Sequence, residues 1–467
     1  MTRRVAIVTY AYPPMNVPGA LRAAALARHL PAYGWEPLVV TVTPGSALYL
    51  DPPGDCPPPR EKFPNGVGDS PPPLQILRTR DLSLHGLAAR MASRKDGHAG
   101  RDRLERLKGH NVQANGRLPL RALHWVYRHW AAFPDETWPW MLEYPRIRRA
   151  LRTAAIDAIV STSPPPTCHL IASRLARDLR VPWIADYRDL WSDRTAWRRT
   201  RPLRPLERAI ERCVMKRAAG IVTISQPLAE DLVALLGRPV AVIPNGFEPL
   251  DAPDTASPLP IDPHRFTLVH TGTLTHGTRD PGLLFGAIAT LLDTGDVAAP
   301  ELDVWLIGRH LEVARAALAR WPQLAPLVHL VPSVPRPVAL DAQRRASVLV
   351  ALGTPNPAHA GDVTSKVFEY LQAQRPVLAF APRDGSLDRL LADTAGGQVV
   401  TSSAEAASAL LHWLRQWREQ GRPSWTGRPE RIARYDRRVL TGEFARLLDR
   451  VAGVPAVRTE EACVSGP

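Results

Sequence analysis

The feature that most limits how this chain can fold is an alternation of strand and helix that runs from residue 5 to 244, stops, and restarts at 266. Short apolar runs followed by amphipathic stretches read as βαβ units, and such units build parallel sheets. In the first half the spacing predicts strands at Val5–Tyr10, Pro37–Val42, Asp157–Ser161, Trp183–Asp186, Gly220–Ser225 and Val240–Pro244. Helices are predicted between them, at about Ala20–Tyr33, Thr167–Leu179, Leu206–Ala218 and Pro227–Leu236. In the second half it predicts strands at Phe266–Thr271, Leu302–Ile307, Val328–Val331, Val348–Leu352, Pro376–Phe380 and Gln398–Val400. Six further helices lie between or after them, among them Pro281–Leu292 and Thr364–Gln374. The expectation is an α/β chain of two doubly wound, Rossmann-like domains facing one another across a cleft. The first spans 1–249 and the second 262–425, with PNGFEP and the linker DAPDTASPLP between them.

Composition narrows the class. With 467 residues, 45% apolar and 22% charged, the chain has the profile of a globular protein large enough for two or three cores. Four scattered cysteines without CxxC spacing predict free thiols in a reducing, cytoplasmic setting and no zinc site. No apolar run approaches the ~18 residues of a membrane span. The opening MTRRVAIVTYAYPPM reads as a first strand, because prolines follow the apolar run and no small-residue cleavage site does.

The net charge of +14 is local. Residues 76–150 hold 15 basic against 7 acidic residues, and residues 194–217 hold 9 against 2, which accounts for the whole excess. The proline-rich stretch 44–73 reads as an excursion from the first domain. The basic stretch 81–132, with a candidate amphipathic helix at Arg101–Lys108, has two readings: contact with an anionic membrane face or acceptor, or a solvated insertion. A helix is predicted over Trp138–Leu151, with Trp138, Trp140 and Met141 in the core.

The chemistry-bearing stretch is GDVTSKVFEYLQAQRPVLAF, Gly361–Phe380. It reads as a polar loop, a helix capped by Thr364 or Ser365, and a strand. A helix start binds anions through unpaired amides and its dipole, and Lys366 in that first turn is explained better by a bound anion than by helix stability. Glu369 follows on roughly the same face. LVHTGTLTHGTRDPGLL repeats the theme, with Gly272, Arg279 and a helix opened by Asp280-Pro281. His270 in that strand reads either as structural or as a site residue. In the first half, Gly19 ends the loop after the first strand, and DYRDLWSD closes a strand at the carboxyl edge of the sheet, where open α/β sheets bind ligands. Arg188 and Asp189 read there as site residues or as an internal ion pair. Neither G-x-G-x-x-G nor D-x-D occurs at these positions, which disfavours a dehydrogenase and gives no metal motif.

Together these stretches resemble the GT-B glycosyltransferases of the family-4-like group. The T-S-K-x-x-E-Y-L pattern at Thr364–Leu371 followed by R-P-V-L, the R-D-x-W segment at Arg188, Asp189 and Trp191, and I-P-N-G-F at the end of the first domain carry the resemblance over most of the chain. It implies a retaining, metal-independent transferase with no cofactor, whose donor is a nucleotide-sugar. Gly272, Arg279, Thr364, Ser365 and Lys366 would meet the donor's diphosphate, and Glu369 the ribose hydroxyls. Arg188 and Asp189 would stand between donor and acceptor, with Gly19 on the acceptor side. It also implies a final helix at 430–455 returning to the first domain. The family's first glutamate, separated from the second by seven residues, falls at Gly361 here, and Asp362 is its candidate substitute. The expected acceptor is an envelope polysaccharide or glycolipid precursor, handled in the cytoplasm or at the inner membrane face, with no nucleic acid partner. Rival readings are a nucleotide-sugar 2-epimerase of the same fold and a non-catalytic binder of anionic surfaces or nucleic acid.

Overall fold

A computed structural model describes residues 3–15, 18–43, 74–83, 134–192, 204–249 and 259–453. The proline-rich excursion, the stretch 84–133 with the candidate helix Arg101–Lys108, residues 193–203 and the last residues from 454 lie outside these. The chain divides into two compact units. One comprises Met1–Ile224, Leu228–Ile243 and Thr441–Pro467, and the other Ser225–Pro227 and Pro244–Leu440.

The first unit is built on seven parallel strands: β1 Arg3–Val8, β2 Trp35–Val42, β3 Gln75–Thr79, β4 Ala158–Ser163, β5 Trp183–Tyr187, β6 Gly220–Thr223 and β7 Ala241–Val242. Their order is β3-β2-β1-β4-β5-β6-β7. Chain direction across the sheet therefore reverses between β1 and β4, which pair in register from Val5↔Ala158 to Val8↔Ser161. Val5, Ala6, Ile7 and Val8 are fully buried, as are Ile159, Val160, Trp183 and Ile184. Such central strands are apolar on both faces because helices cover both. The covering helices are α1 Pro18–His29, α2 Tyr144–Ala154, α3 Thr167–Leu179, α4 Arg204–Met215 and α5 Gln226–Leu236. Strand β3 was not predicted. The expected helix at Trp138–Leu151 begins as a 3-10 turn, Trp138–Glu143, before α2. Trp140 is fully buried there, but Trp138 is 40% exposed and is not core.

The second unit has six parallel strands: β8 Phe266–Thr273, β9 Leu302–Arg309, β10 Val328–Pro332, β11 Val348–Ala351, β12 Val377–Phe380 and β13 Gly397–Val400. The order β10-β9-β8-β11-β12-β13 places the reversal between β8 and β11. The period of two separates its cores. Leu268, Val304, Leu306, Val350 and Leu378 face α6 Gly282–Asp293, α7 Glu312–Leu318 and the later α11 Ser403–Gln420. Val269, Trp305, Ile307, Leu349 and Val377 face the other side, over α8 Arg336–Arg345, α9 Ser365–Gln372 and α10 Ser386–Thr394. Each such fully buried side chain contributes roughly 1.5–3 kcal/mol. A last short helix, α12 Pro429–Ile432, precedes α13 Arg437–Val451, whose latter part belongs to the first unit. There Asp449 Oδ1 accepts from Arg3 Nη1 at 2.5 Å and from Trp35 Nε1 at 2.9 Å. Among the described residues no helix is long and apolar enough to cross a membrane.

Candidate functional sites at the two strand reversals

Where a doubly wound sheet reverses, the flanking helices leave on opposite faces and open a crevice at the carboxyl ends of the strands. In the second unit, β8 pairs with β11 only at Leu268 and Val269. Past that point two side chains occupy the splay. His270 Nδ1 donates to the carbonyl of Val350 at 2.9 Å, and the Tyr370 hydroxyl accepts the backbone N–H of Thr271 at 2.9 Å. Tyr370 is 1% exposed, and burial pushes its hydroxyl up to about 12, so it stays a neutral bolt between α9 and β8. Gln343 Nε2 on α8 closes the set with a 3.0 Å bond to Thr271 Oγ1.

The bolt fixes where α9 begins and therefore where Lys366 points. Its ammonium lies over the Cα of Gly272: a Cβ added there would stand 2.7 Å from Lys366 Nζ and 2.8 Å from His270 Nε2. Gly272 is thus required by close approach, and so is its strand partner Gly308, whose added Cβ would meet the Gly272 carbonyl oxygen. Among the described residues Lys366 makes no ion pair. Burial pulls its ammonium down to about 8; Glu369 opposes that, while Arg279 and Arg309 reinforce it. Three cations therefore share the mouth of the reversal. Arg309, at the end of β9, was not anticipated from the sequence.

The remaining expected donor residues are placed as follows. Arg279 is exposed on a tight turn closed by reciprocal backbone bonds with Thr275 at 2.9 and 3.1 Å. Thr364 occupies the cap position of α9, but its side chain makes no capping bond, and Ser365 is the first helical residue. The other expected phosphate-facing helix start, at Asp280-Pro281, is capped from within, because Asp280 Oδ1 accepts the Gly282 amide at 2.9 Å. Glu369 Oε1 receives Arg336 Nη2 at 2.9 Å and Nε at 3.2 Å, a partner sequence reading missed. Asp362 is largely exposed and accepts from His359 Nδ1 at 2.8 Å.

At the β1/β4 reversal the structure brings Gly19 and Arg188 together. Arg188 donates from Nε to Oγ1 of Thr162, the last residue but one of β4, at 3.1 Å and from Nη2 to the Pro164 carbonyl, just past the strand, at 2.6 Å. Its guanidinium then rests on Gly19, the second residue of α1. Burial lowers its pKa, and the Asp186 and Asp189 carboxylates oppose that shift. Asp189 itself is exposed. A buried ion pair stands beside them, between Arg22 and Asp186. Asp186 is fully buried and takes Arg22 Nη2 at 2.8 Å and Nε at 2.9 Å, and Arg22 Nη2 also donates to the Ile243 carbonyl. That pair locks α1 to β5 and to the end of β7 beneath the reversal.

A cavity of about 590 Å³ lies elsewhere, where β11 and β12 begin, lined by Arg344, Arg375, Arg422 and Trp425 among others. Arg375 Nε there donates to the Arg344 carbonyl at the end of α8. These arginines complement helix C-termini, and the cavity sits at the wrong end of the strands for the reversal site.

Residues 19–246 match the profile of the glycosyl transferase 4-like domain. No curated protein matches the chain by sequence. Among solved structures, the chain is similar to HepE of Anabaena, determined with UDP and glucose, at 12% identity over 96% of this chain and 100% of that one, TM-score 0.57. Sucrose-phosphate synthase of Thermosynechococcus elongatus matches at 13% identity over 97% and 99%, TM-score 0.57. A Listeria monocytogenes protein proposed as a UDP-N-acetylglucosamine 2-epimerase matches at 11% identity over 96% of each chain, TM-score 0.51. These likenesses show the two-Rossmann, GT-B fold.

Proposed function

We propose that this chain, which carries a glycosyl transferase 4-like domain at residues 19–246, transfers a sugar from a nucleotide-sugar donor to an acceptor hydroxyl. The observation that carries the reading is Lys366, a partly buried ammonium without an ion pair among the described residues, held over Gly272 where the second sheet reverses. A buried charge is costly unless something compensates it, and a diphosphate is the compensation this geometry suits.

In transfer, the bond from the sugar's anomeric carbon to the diphosphate oxygen breaks, and its electron pair stays on the diphosphate. The acceptor oxygen bonds to the anomeric carbon and gives up its proton. Charge builds on the leaving diphosphate, and preorganised cations and amides there lower the barrier. Lys366, Arg279 and the first amides of α9 take that role, with Thr364 and Ser365 shaping the turn and Glu369, steadied by Arg336, meeting the ribose hydroxyls. Arg188, with Asp189 beside it and Gly19 beneath, serves the acceptor side in the first unit. The reaction retains the anomeric configuration and needs no metal. The donor is a UDP-sugar, UDP being the nucleotide bound in the HepE structure, and the acceptor is an envelope polysaccharide or glycolipid precursor at the inner membrane face.

A thermal-shift panel of nucleoside diphosphates and nucleotide-sugars tests the reading. At least one UDP compound should raise the melting temperature of the wild type, and raise that of Lys366→Ala much less at the same concentration. The absence of a shift with every compound contradicts it. The epimerase reading, kept open by the shared fold, predicts interconversion of UDP-N-acetylglucosamine and its 2-epimer without an acceptor.

A further inference from the structure

At the amino ends of β11 and β12, away from the reversal, the cavity of about 590 Å³ gathers the guanidiniums of Arg344, Arg375 and Arg422, and no carboxylate lines it. Arg375 Nε donates to the Arg344 carbonyl at 2.8 Å, the one hydrogen bond these three side chains make among the described residues. Arg344 Nη2 lies 3.8 Å from Asp341 Oδ1, too far for a hydrogen bond, and Asp341 is shared with Arg345. Burial first, then the Arg422 charge, lowers the Arg375 pKa, and among the described residues no carboxylate opposes either.

Helix ends offset part of this charge. Helices α8, α9 and α11 all finish at the cavity, and each C-terminus carries roughly half a negative charge. Three such ends cover only about half of three guanidiniums. A phosphate monoester, at about −1.5 to −2 near pH 7, matches the remainder, and guanidiniums bind phosphate oxygens through paired N–H groups. The volume lies in the range of small-molecule sites and far exceeds a bare phosphate, so there is room for an organic part. Trp425 gives that part an apolar wall, and Gln374 and Gln420 give it side-chain amides suited to hydroxyl groups. We propose that this cavity is a second ligand site, separate from the donor site, for a phosphorylated sugar: Arg344, Arg375 and Arg422 hold the phosphate, and Gln374, Gln420 and Trp425 the sugar.

Calorimetric titration of glucose 6-phosphate and glucose 1-phosphate into the full chain tests the site. At least one of them should bind saturably, at one site per chain, in the wild type and in Lys366→Ala alike. Arg422→Gln alters an exposed side chain with no hydrogen bond to lose, and should weaken binding about tenfold, the effect of removing one charge-assisted contact. Arg344→Gln, whose side chain likewise makes no hydrogen bond among the described residues, should do the same and serves as the second variant. Glucose should not bind, and inorganic phosphate should bind more weakly than the sugar phosphate. Absence of saturable binding by either sugar phosphate, or undiminished binding in both arginine variants, overturns the inference. Binding lost in Lys366→Ala but kept in Arg422→Gln overturns it too, by placing the phosphate at the β8/β11 reversal. Inorganic phosphate binding as tightly as the sugar phosphate overturns the assignment of the sugar.

Discussion

The guanidinium of Arg188 rests on the Cα of Gly19: a Cβ built on that glycine would stand 2.1 Å from Nη1 and 2.5 Å from the guanidinium carbon. The contact joins the start of α1 to the residue after β5, which itself bonds to the end of β4, so the glycine serves the arginine and not merely a turn.

Gly19→Ala is therefore expected to push Arg188 out of place. Helix propensity alone favours alanine by roughly 0.5–1 kcal/mol, so the fold should survive. Sugar transfer should fall at least about tenfold while donor affinity, which the proposed function places in the second unit, is unchanged. Steady-state kinetics with a separate donor titration check this, and full activity in the variant contradicts it.

Arg22 and Asp186 make a second, structural prediction. Removing Arg22 alone leaves a fully buried carboxylate unpaired, and Arg22→Leu should cost about 3–5 kcal/mol. Arg22→Leu with Asp186→Leu should recover much of that stability, since an apolar pair of similar volume replaces the buried ions. Denaturant unfolding of the single and double variants decides. A double variant no more stable than the single one removes the ion-pair account.

Reading the chain alone located most strands, because central parallel strands are apolar on both faces and stand out as continuous runs. It missed β3, an edge strand whose QILRT sequence is half exposed over most of its length and carries no such run. It read Arg188 and Asp189 as site residues or an ion pair and gave no partner for Asp186, whose buried partner is Arg22, 164 positions away in sequence. Arg309 and Arg336 were missed for the same reason. A charge brought in by tertiary packing leaves no local pattern, while Lys366 and Glu369 share one helical turn and Gly272 sits in a recognisable loop. Trp138 and Trp140 were alike in composition, but the tight 3-10 turn buries one and exposes the other.

Lys366 also predicts a cost of function. Its pKa in the folded chain, about 8, lies below the ordinary 10.5, so between those values the unfolded chain holds a proton that the folded chain has shed. Stability from this group therefore rises with pH through that window and is at its poorest below it. Ligand-free Lys366→Met should be more stable than the wild type at pH 7, by at most about 3 kcal/mol, with the advantage shrinking from pH 8 to pH 10.5. Thermal melts at pH 7 and pH 10 check the sign. An advantage that grows with pH would show that the ammonium is not penalised.

The central claim is that the β8/β11 reversal holds an activated sugar by its diphosphate, with Lys366 as the principal cation. Calorimetric titration of UDP-glucose into the wild type and Lys366→Ala measures it most directly. The predicted result is one site per chain in the wild type, weakened about 10- to 100-fold in a variant that keeps its circular dichroism spectrum. Equal affinity in the two proteins would contradict the claim.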